Sequence, residues 1–273
     1  MPEKYTPGYS SNATNFMSNR SVDTHAAFFT SYLRPEMKLL DCGCGPGTIT
    51  LGLAKVIAPG TVTGIDREVS QIRIAAENAL TQAVSNANFL EGNIYALPFP
   101  DDSFDAVFSH ALFEHLQEPV KALRELWRVL KPEGIVGLRS PDLGGLLIAP
   151  TTPELDKAIS YCKWLQQQNS GNPYVGRELR ALLRQVEFTT IKASASCECY
   201  EPLSLATEYL ALIIEASEKV DQVVEKGWTD ERCLRRAMPT LKAMSGALRE
   251  LSQHPDGFFA QTWCEVVGQK TGK

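Results

Sequence analysis

The sequence contains no long apolar run. No stretch approaches the roughly 20 apolar residues that a membrane-spanning helix needs. The first residues, MPEKYTPGYSSNATNF, have neither the basic start nor the apolar segment of a secretion signal. Hydrophobic residues make up 44% of the chain and charged residues 22%, as is ordinary for a soluble globular protein. We therefore expect a soluble, cytoplasmic protein without a membrane span.

Cysteine pairs with the spacing of a metal site are also lacking. The chain has seven cysteines. Cys42/Cys44 and Cys197/Cys199 are C-x-C pairs in predicted strands or turns, whereas zinc sites use paired C-x-x-C motifs. The sequence therefore predicts no metal site, and we expect the cysteines to lie in a reducing compartment.

An excess of positive charge is lacking as well. Lys and Arg number 27 against 32 Asp and Glu, so the net charge is −5. Affinity for nucleic acid comes largely from Lys and Arg side chains that displace counterions. We therefore expect no nucleic-acid partner and a small-molecule substrate.

The order of predicted elements indicates the fold class. At 273 residues the chain is long enough for one large α/β domain with an insertion. Short apolar runs alternate with helical patterns, which predicts a doubly wound, mostly parallel sheet whose strands are apolar throughout. The strands are predicted at KLLDCG, TVTGID, ANFLEG, FDAVFSH and GIVGLRS. Three helices are predicted between them: one that ends near Ile57, one at about Glu68–Ala83 and one at about Glu118–Leu130. Pro132 is predicted to end the last of these helices and Gly134 to supply the turn that follows.

After Ser140 two helical blocks interrupt this alternation. The first is predicted to begin with Thr151 or Thr152 as its N-cap, and the second to contain two helices broken near KGWT. We therefore divide the chain into an N-terminal helical cap segment, 1–35; an α/β core, 36–142, 171–200 and 256–273; and helical insertions, 143–170 and 201–255.

The insertions are expected to form a lid over the carboxyl ends of the strands, where α/β folds bind ligands. The second insertion is too apolar to stand alone in water, so it must cover either the pocket mouth or the same helices of a second subunit in a homodimer. The aromatic residues available as apolar walls are Tyr161, Trp164, Tyr174 and Trp228.

The stretch KLLDCGCGPGTITLGLAK carries three alternating glycines, Gly43, Gly45 and Gly47, between a predicted strand and a predicted helix. Glycines in such a turn let the backbone approach a ligand closely. A dinucleotide site has the spacing G-x-G-x-x-G, but Thr48 occupies the position of the third glycine here. Asp66 ends the next strand, where its carboxylate can accept hydrogen bonds from ribose hydroxyls. The loop and the acid together fit either a dinucleotide or S-adenosylmethionine.

Four motifs that follow one another make the prediction more specific. They are LLDCGCGPGTIT, TGIDREVSQIRIA, GNIYALPFPDDSFDAVFSHALFEHL and ALRELWRVLKPEGIVGLRSPD. Over about Lys38 to Asp142 they resemble the motifs of class I S-adenosylmethionine-dependent methyltransferases, most of all the small-molecule branch similar to ubiquinone/menaquinone-biosynthesis methyltransferases. The resemblance implies an α/β, doubly wound, Rossmann-like sheet of seven strands in the order 3-2-1-4-5-7-6, with the last strand antiparallel. It also implies S-adenosyl-L-methionine as cofactor.

The same resemblance implies a set of cofactor-binding residues. Asp41 is expected either to orient the loop or to reach the ammonium group of the ligand. Arg20 is expected either to bind the ligand's carboxylate from an N-terminal helix or to be simply exposed. His115 is common in the family pattern, and its alternative role is to fix the turn into the next helix. The full set is Arg20, Asp41, Gly43, Gly45, Gly47, Asp66 at the ribose, Arg67, Asn93 and Ile94 at the adenine, Ser109 near the methionine part, and His115.

The predicted reaction is methyl transfer to a small organic acceptor by in-line displacement. His110 is the candidate general base because an imidazole titrates near neutral pH and this residue ends the fourth strand; the alternative is that it only lines the pocket. Two other functions are also compatible with the sequence. They are an NAD(P)-dependent oxidoreductase, which the position of the third glycine disfavours, and a non-catalytic S-adenosylmethionine-binding protein.

Overall fold

The computed structural model describes residues 4–217 and 231–272. Within these residues the strands are β1 Lys38–Cys42, β2 Thr61–Asp66, β3 Ala87–Glu91, β4 Phe104–His110, β5 Leu130–Ala149, β6 Thr189–Cys199 and β7 Phe258–Gln269. The helices are α1 Ser11–Ser18, α2 Val22–His25, α3 Ala27–Thr30, α4 Thr48–Val56, α5 Val69–Thr81, α6 Pro119–Val129, α7 Pro153–Gln168, α8 Val175–Gln185, α9 Ser204–Ser217 and α10 Glu231–Gln253. A short 3₁₀ helix, Phe113–His115, follows β4.

The strands form one sheet in the order β3-β2-β1-β4-β5-β7-β6. The pairs β1–β2, β1–β4, β2–β3 and β4–β5 are parallel, whereas β7 runs antiparallel to both β5 and β6. The predicted strand order and the antiparallel last strand are therefore confirmed. Asp41 of β1 is in register with Gly64 of β2 and Phe108 of β4, so the carboxyl ends of these strands meet at one edge.

Helices cover both faces of the sheet. The predicted amphipathic helix is α6, and its apolar side faces a core shared with β4, β5 and α8. On the opposite face, α4 and the short α3 pack over β1 and β4, with Phe29 and Phe108 stacked at 5.7 Å between ring centres. Burial on both faces explains why β1 and β4 are apolar along nearly their whole length.

The expectation that every strand is apolar is wrong for the two edge strands. In β3 and β6 most residues are exposed or half-buried. An edge strand has only one neighbour and less cover from the helices, so polar side chains there reach water at little cost. The sequences ANFLE and TTIKASASCEC are consistent with such edges.

Strand β5 differs from the prediction at both ends. It continues past Asp142 to Ala149 and pairs with β7 again after a register shift between Asp142 and Leu147. The predicted first insertion, 143–170, therefore begins too early, because 143–149 belong to the strand. At the other end Glu133, not Gly134, has the left-handed φ of 64°, and Gly134 is required because a Cβ there would lie 2.7 Å from the Lys131 carbonyl oxygen.

The helices α7, α9 and α10 pack on one another beside β7 and share a second hydrophobic core. Thr152 caps α7 as predicted, since its side chain accepts the Leu155 N–H. The buried side of α9 carries Ala206, Ala211 and Ile214, while its leucines are only half-buried. The predicted break at KGWT and Trp228 lie outside the described residues. Within residues 4–217 and 231–272, every helix is too short or too polar to span a bilayer.

We expect Gly137→Ala to destabilise the protein by about 1–3 kcal/mol, the usual cost of overpacking. Gly137 lies in β5, and a Cβ there would overlap the ring of Phe29. The control is Gly246→Ala in α10, where a Cβ would meet no atom within 4 Å and should raise stability by roughly 0.5–1 kcal/mol. Urea unfolding measures both, and equal effects at the two positions would contradict the packing of α3 on β5.

Candidate functional site

A cavity of about 650 Å³ opens where β1, β2 and β4 end. We call it the main cavity. All the predicted site residues line it except Gly47 and Ser109. The walls that the sequence did not point to come from the N-terminal segment and from α5, and they include Tyr5, Tyr9, Met17 and Gln71.

The glycine loop forms one wall of the main cavity. Gly43, Gly45 and Gly47 have φ values of 75°, 52° and 79°, in the left-handed region that glycine adopts without steric cost. A Cβ on Gly47 would lie 2.8 Å from the Ala75 Cβ, and one on Gly43 would lie 3.2 Å from Leu112. A Cβ on Gly45 would meet only the Met17 sulfur, at 3.6 Å, and would otherwise enter open space. Gly45 is therefore the glycine that leaves room for a ligand, whereas Gly47 is required by packing.

Asp66 joins this loop to the end of β2. Its Oδ2 accepts the Gly45 N–H at 3.0 Å, and its Oδ1 accepts the Glu68 N–H at the same distance. A carboxylate offers about four lone-pair sites, so each oxygen can still accept a hydrogen bond from a ligand hydroxyl. Burial raises the pKa of Asp66 above its usual value, and the two backbone N–H groups oppose that rise.

Asp41 lies at the floor of the main cavity and is almost fully buried. Its Oδ2 accepts the Thr50 hydroxyl at 2.6 Å, which links the end of β1 to the first turn of α4. Burial raises the pKa of Asp41 to about 7. Of its two predicted roles, the hydrogen bond to Thr50 supports that of orienting the loop.

The residues predicted for an adenine all line the main cavity. Arg67 follows Asp66, and Asn93 and Ile94 follow β3. The Asn93 Oδ1 accepts the Tyr95 N–H at 3.0 Å, so its amide is held by the local turn. A carbonyl oxygen has a second lone pair, and the amide NH₂ remains a donor.

Ser109 and His110 end β4 but differ in what they contact. The Ser109 hydroxyl donates to the Cys42 carbonyl oxygen at 2.9 Å across the sheet, and the side chain does not line the main cavity. The Ser109 hydroxyl therefore bridges β4 and β1, and a position of Ser109 near the methionine part of the ligand stays a prediction. Ala111, the next residue, has a left-handed φ of 54°, a strained conformation for alanine that turns the chain at the cavity wall.

His110 lines the main cavity with its ring packed between two others. The Trp263 ring centre lies 4.8 Å away and that of His25 5.1 Å away. Both ring nitrogens of His110 are buried, and neither has a hydrogen-bond partner among the described residues. Burial lowers the pKa of His110 well below its usual value, and the positive charges of Arg20 and Arg139 lower it further. The imidazole is therefore neutral and weakly basic at physiological pH.

His115 and Arg20 both line the main cavity. The ring of Tyr5 packs edge-on against His115, with 4.7 Å between centres. Burial, with Arg20 as a second cause, lowers the pKa of His115 to about 3. The Arg20 guanidinium lies 5.7 Å from the Phe16 ring centre, and no described residue gives it an ion pair or a side-chain hydrogen bond.

A smaller cavity of about 100 Å³, the second chamber, lies beside the main cavity. Tyr5, Arg20, Ala111 and His115 line both, so the two spaces share a wall. The N-terminal segment, α7, α9 and the start of β7 close the second chamber. Its aromatic side chains are Tyr5, Phe16, Tyr200, Tyr209, Phe259 and Trp263.

The aromatic walls therefore differ from those predicted. Tyr161 and Trp164 stack on each other at 5.4 Å, and Tyr174 packs near Lys163 and Arg177; none of the three lines either cavity. The presence of aromatic residues in a helix does not predict which side of that helix faces the site. The sequence does contain one indication of the aromatic wall that the N-terminal segment forms, because Tyr5 and Tyr9 precede α1 in an otherwise polar segment.

No group of three or more His, Cys, Asp or Glu side chains with the arrangement of a metal site occurs in the described part of the chain. The functional groups gathered here are instead an acid tied to a glycine loop, a cation without an acidic partner, and aromatic walls. Such a set suits an organic ligand with ribose and carboxylate groups.

Comparisons with known proteins identify the family. The methyltransferase-domain family matches residues 33–201. The chain is 31% identical over 230 residues to an uncharacterized methyltransferase of Schizosaccharomyces pombe, covering 80% of this chain and 82% of that one. It is also 31% identical over 175 residues to a demethylmenaquinone methyltransferase of Staphylococcus aureus, covering 59% of this chain and 71% of that protein.

Among solved structures, the YcgJ protein of Bacillus subtilis superposes with a TM-score of 0.57 at 21% identity, over 90% of this chain and 98% of that one. A methyltransferase from Bacillus halodurans superposes equally well, with a TM-score of 0.57 at 14% identity, over 88% of this chain and 95% of that one. These matches favour S-adenosylmethionine over a dinucleotide as the ligand of the glycine loop. The chain belongs to the methyltransferase family and has the class I S-adenosylmethionine-dependent fold.

Proposed function

We propose that the protein transfers a methyl group from S-adenosylmethionine to a small organic acceptor by in-line displacement. The proposal is supported chiefly by the arrangement of the two cavities. Gly45 faces open space in the main cavity, and the second chamber lies directly beside that cavity. A donor and an acceptor can therefore lie side by side, each in its own space. Bound S-adenosylmethionine would supply the electrophilic methyl group of a sulfonium.

The chain's own groups fit this cofactor. Asp66 would accept the ribose hydroxyls on the lone pairs that the backbone leaves free. Arg20, which no described carboxylate pairs with, would bind the carboxylate of the methionine part. Arg67, Asn93 and Ile94 line the part of the main cavity left for the adenine.

The protein contributes chiefly by holding the reactants in line and excluding water. The N-terminal segment covers the main cavity, where Gln71 of α5 donates to the Thr14 hydroxyl of α1 at 3.2 Å. Phe16 of the same helix stacks on Tyr209 of α9 at 4.2 Å between ring centres, nearly parallel. One short helix thus links the cover of the cofactor space to the wall of the acceptor space.

The size of the second chamber limits the acceptor. Pockets for drug-sized ligands usually measure roughly 300–1,000 Å³. At about 100 Å³ this chamber admits a compact acceptor or one small end of a larger one. The absence of a nucleic-acid partner, a cytoplasmic location and a homodimer formed through the lid helices stay predictions from the sequence.

The proposal is tested by incubating the protein with methyl-labelled S-adenosylmethionine and the small-molecule fraction of a cell extract. We expect mass spectrometry to find at least one labelled product of low molecular mass. The matched control is the Gly45→Val variant, which should give none. Label found only on protein or nucleic acid would contradict a small organic acceptor.

Gly45→Val should abolish binding of S-adenosylhomocysteine while the protein stays folded. The valine side chain would fill the open space beside the loop, and we expect affinity to fall by more than about a hundredfold, or about 2.7 kcal/mol. The left-handed backbone should also lower stability by roughly 1–3 kcal/mol.

Gly47→Val is the control for packing, because its side chain would overlap Ala75 and Phe89 and should disrupt the fold itself. Calorimetry and circular dichroism separate the two effects. Normal affinity in Gly45→Val would mean that the ligand does not lie against this loop.

Tyr209→Ala should impair methyl transfer more than cofactor binding. Tyr209 lines the second chamber but not the main cavity, so we expect the acceptor kcat/KM to fall by about tenfold or more, at least about 1.4 kcal/mol. Affinity for S-adenosylhomocysteine should change little. Trp164→Ala is the matched control, since Trp164 lines neither cavity. Equal losses in both variants would refute the assignment of the second chamber to the acceptor.

A further inference from the structure

Glu114 is a buried acid on the wall of the second chamber. It lies in the 3₁₀ helix after β4, and only 3% of the residue is exposed. Its backbone carbonyl accepts the Gln166 side-chain amide and the Asn172 N–H, each at 2.9 Å, so α7 and the following loop hold it in position. The sequence motif FEHL predicts a role for His115 but none for the adjacent acid.

The carboxylate itself is poorly satisfied. Its Oε1 lies 3.7 Å from Nε2 of His115, beyond hydrogen-bond distance, and its Oε2 is buried without a hydrogen-bond partner in the described part of the chain. A buried polar atom without a partner is costly in a folded protein and calls for a functional explanation. A substrate hydroxyl in the chamber would provide the missing hydrogen bond.

The surroundings of Glu114 bring its titration close to neutral pH. Burial raises the pKa of this carboxyl to about 7, although its own backbone N–H, the nearby Ser140 hydroxyl and the Arg20 guanidinium oppose the rise. The titratable or charged groups around it are Tyr5 and Arg20 from the N-terminal segment, His115 beside it, Cys162 of α7 and Tyr209 of α9. Only Arg20 among them is cationic, because the pKa of His115 is lowered to about 3.

The two histidines of the site are less suited to take a proton. His110 has both ring nitrogens buried and a pKa well below its usual value, and burial lowers the pKa of His115 to about 3. Asp41 also titrates near neutral pH, but it lies at the floor of the main cavity with its carboxylate held by Thr50. A general base works best when its pKa lies near the operating pH and it reaches the acceptor.

We propose that Glu114 is the catalytic base of the methyl transfer and that the acceptor is a hydroxyl compound whose O–H points at this carboxylate. This inference rests on the proposed function. The acceptor oxygen forms the new O–CH₃ bond while the S–CH₃ bond breaks and leaves its electron pair on sulfur. The hydroxyl proton passes to Glu114 and later to solvent.

The first test needs no acceptor. The carboxyl carbons of ¹³C-glutamate-labelled, ligand-free protein are followed by NMR from pH 4 to 9. We expect one signal with a midpoint near pH 7 that is missing from the spectrum of Glu114→Gln. If Glu114 titrates near the ordinary value of about 4.3, the inference is overturned.

The second test measures label transfer from methyl-labelled S-adenosylmethionine to the small-molecule fraction of a cell extract across the same pH range. The wild-type rate should rise through pH 7, because the ionised carboxylate is the active form. Glu114→Gln should be slower by about 10²–10⁴-fold and lose that rise, while its affinity for S-adenosylhomocysteine is kept. Glu114→Asp keeps a carboxylate and should retain the rise at a reduced rate.

Glu154→Gln is the matched control and should behave as wild type, because Glu154 is a half-buried acid of α7 that lies outside both cavities, with its carboxylate 3.9 Å from the Lys157 Nζ. Wild-type rate and pH dependence in Glu114→Gln would overturn the inference and leave the proposed function intact. If the wild-type protein itself labels no small molecule, the proposed function fails instead, and the NMR titration still decides whether Glu114 holds its proton near neutral pH. A Glu114→Gln variant that does not fold is replaced by Glu114→Asp in both tests.

Discussion

The hydrogen bonds that tie the glycine loop to the end of β2 are the constraint on which the site depends. The Ile65 carbonyl oxygen accepts the N–H groups of Gly43 and Cys44 at 2.8 and 2.9 Å, and Asp66 accepts that of Gly45. Three glycines with positive φ have much conformational freedom to lose, so the loop needs such anchors to keep one shape. Because they lie at the sheet edge, the loop, Asp66 and the end of β4 face a common space.

Burial of ionisable groups at this edge gives the site its electrostatic character. The pKa values of Asp41 and Glu114 are raised, and those of His110 and His115 are lowered, in each case chiefly because the charged form loses its hydration. The histidines are therefore neutral, and Arg20 is left as a cation facing both cavities. An environment of this kind favours a ligand that carries negative charge near Arg20.

The two cavities are built from segments that are distant in the sequence. The N-terminal segment contributes Phe16 and Arg20, α9 contributes Tyr209, and β7 contributes Trp263. Aromatic contacts join them: Phe16 stacks on Tyr209, and Trp263 packs on His110. Pairs of this sort are worth roughly 0.5–1.5 kcal/mol beyond their burial, and the Phe16–Tyr209 pair helps to hold the N-terminal helix against α9. Changes in that helix should therefore be felt in both cavities.

By itself the sequence determined the strands of a mostly parallel sheet, the glycine loop and Asp66, because these depend on local apolar runs and on turn chemistry. The order of the strands was implied only by the resemblance of four successive motifs to a known family. Only the tertiary structure decided the rest. The extension of β5 depends on pairing with β7 far along the chain, and the second chamber depends on which sides of α7 and α9 turn inward. Ser109 and Glu114 show the limit most clearly. Strand position suggested that Ser109 faces the ligand, but its hydroxyl bonds across the sheet, whereas Glu114 gains its role from burial by segments that a local reading of the motif does not include.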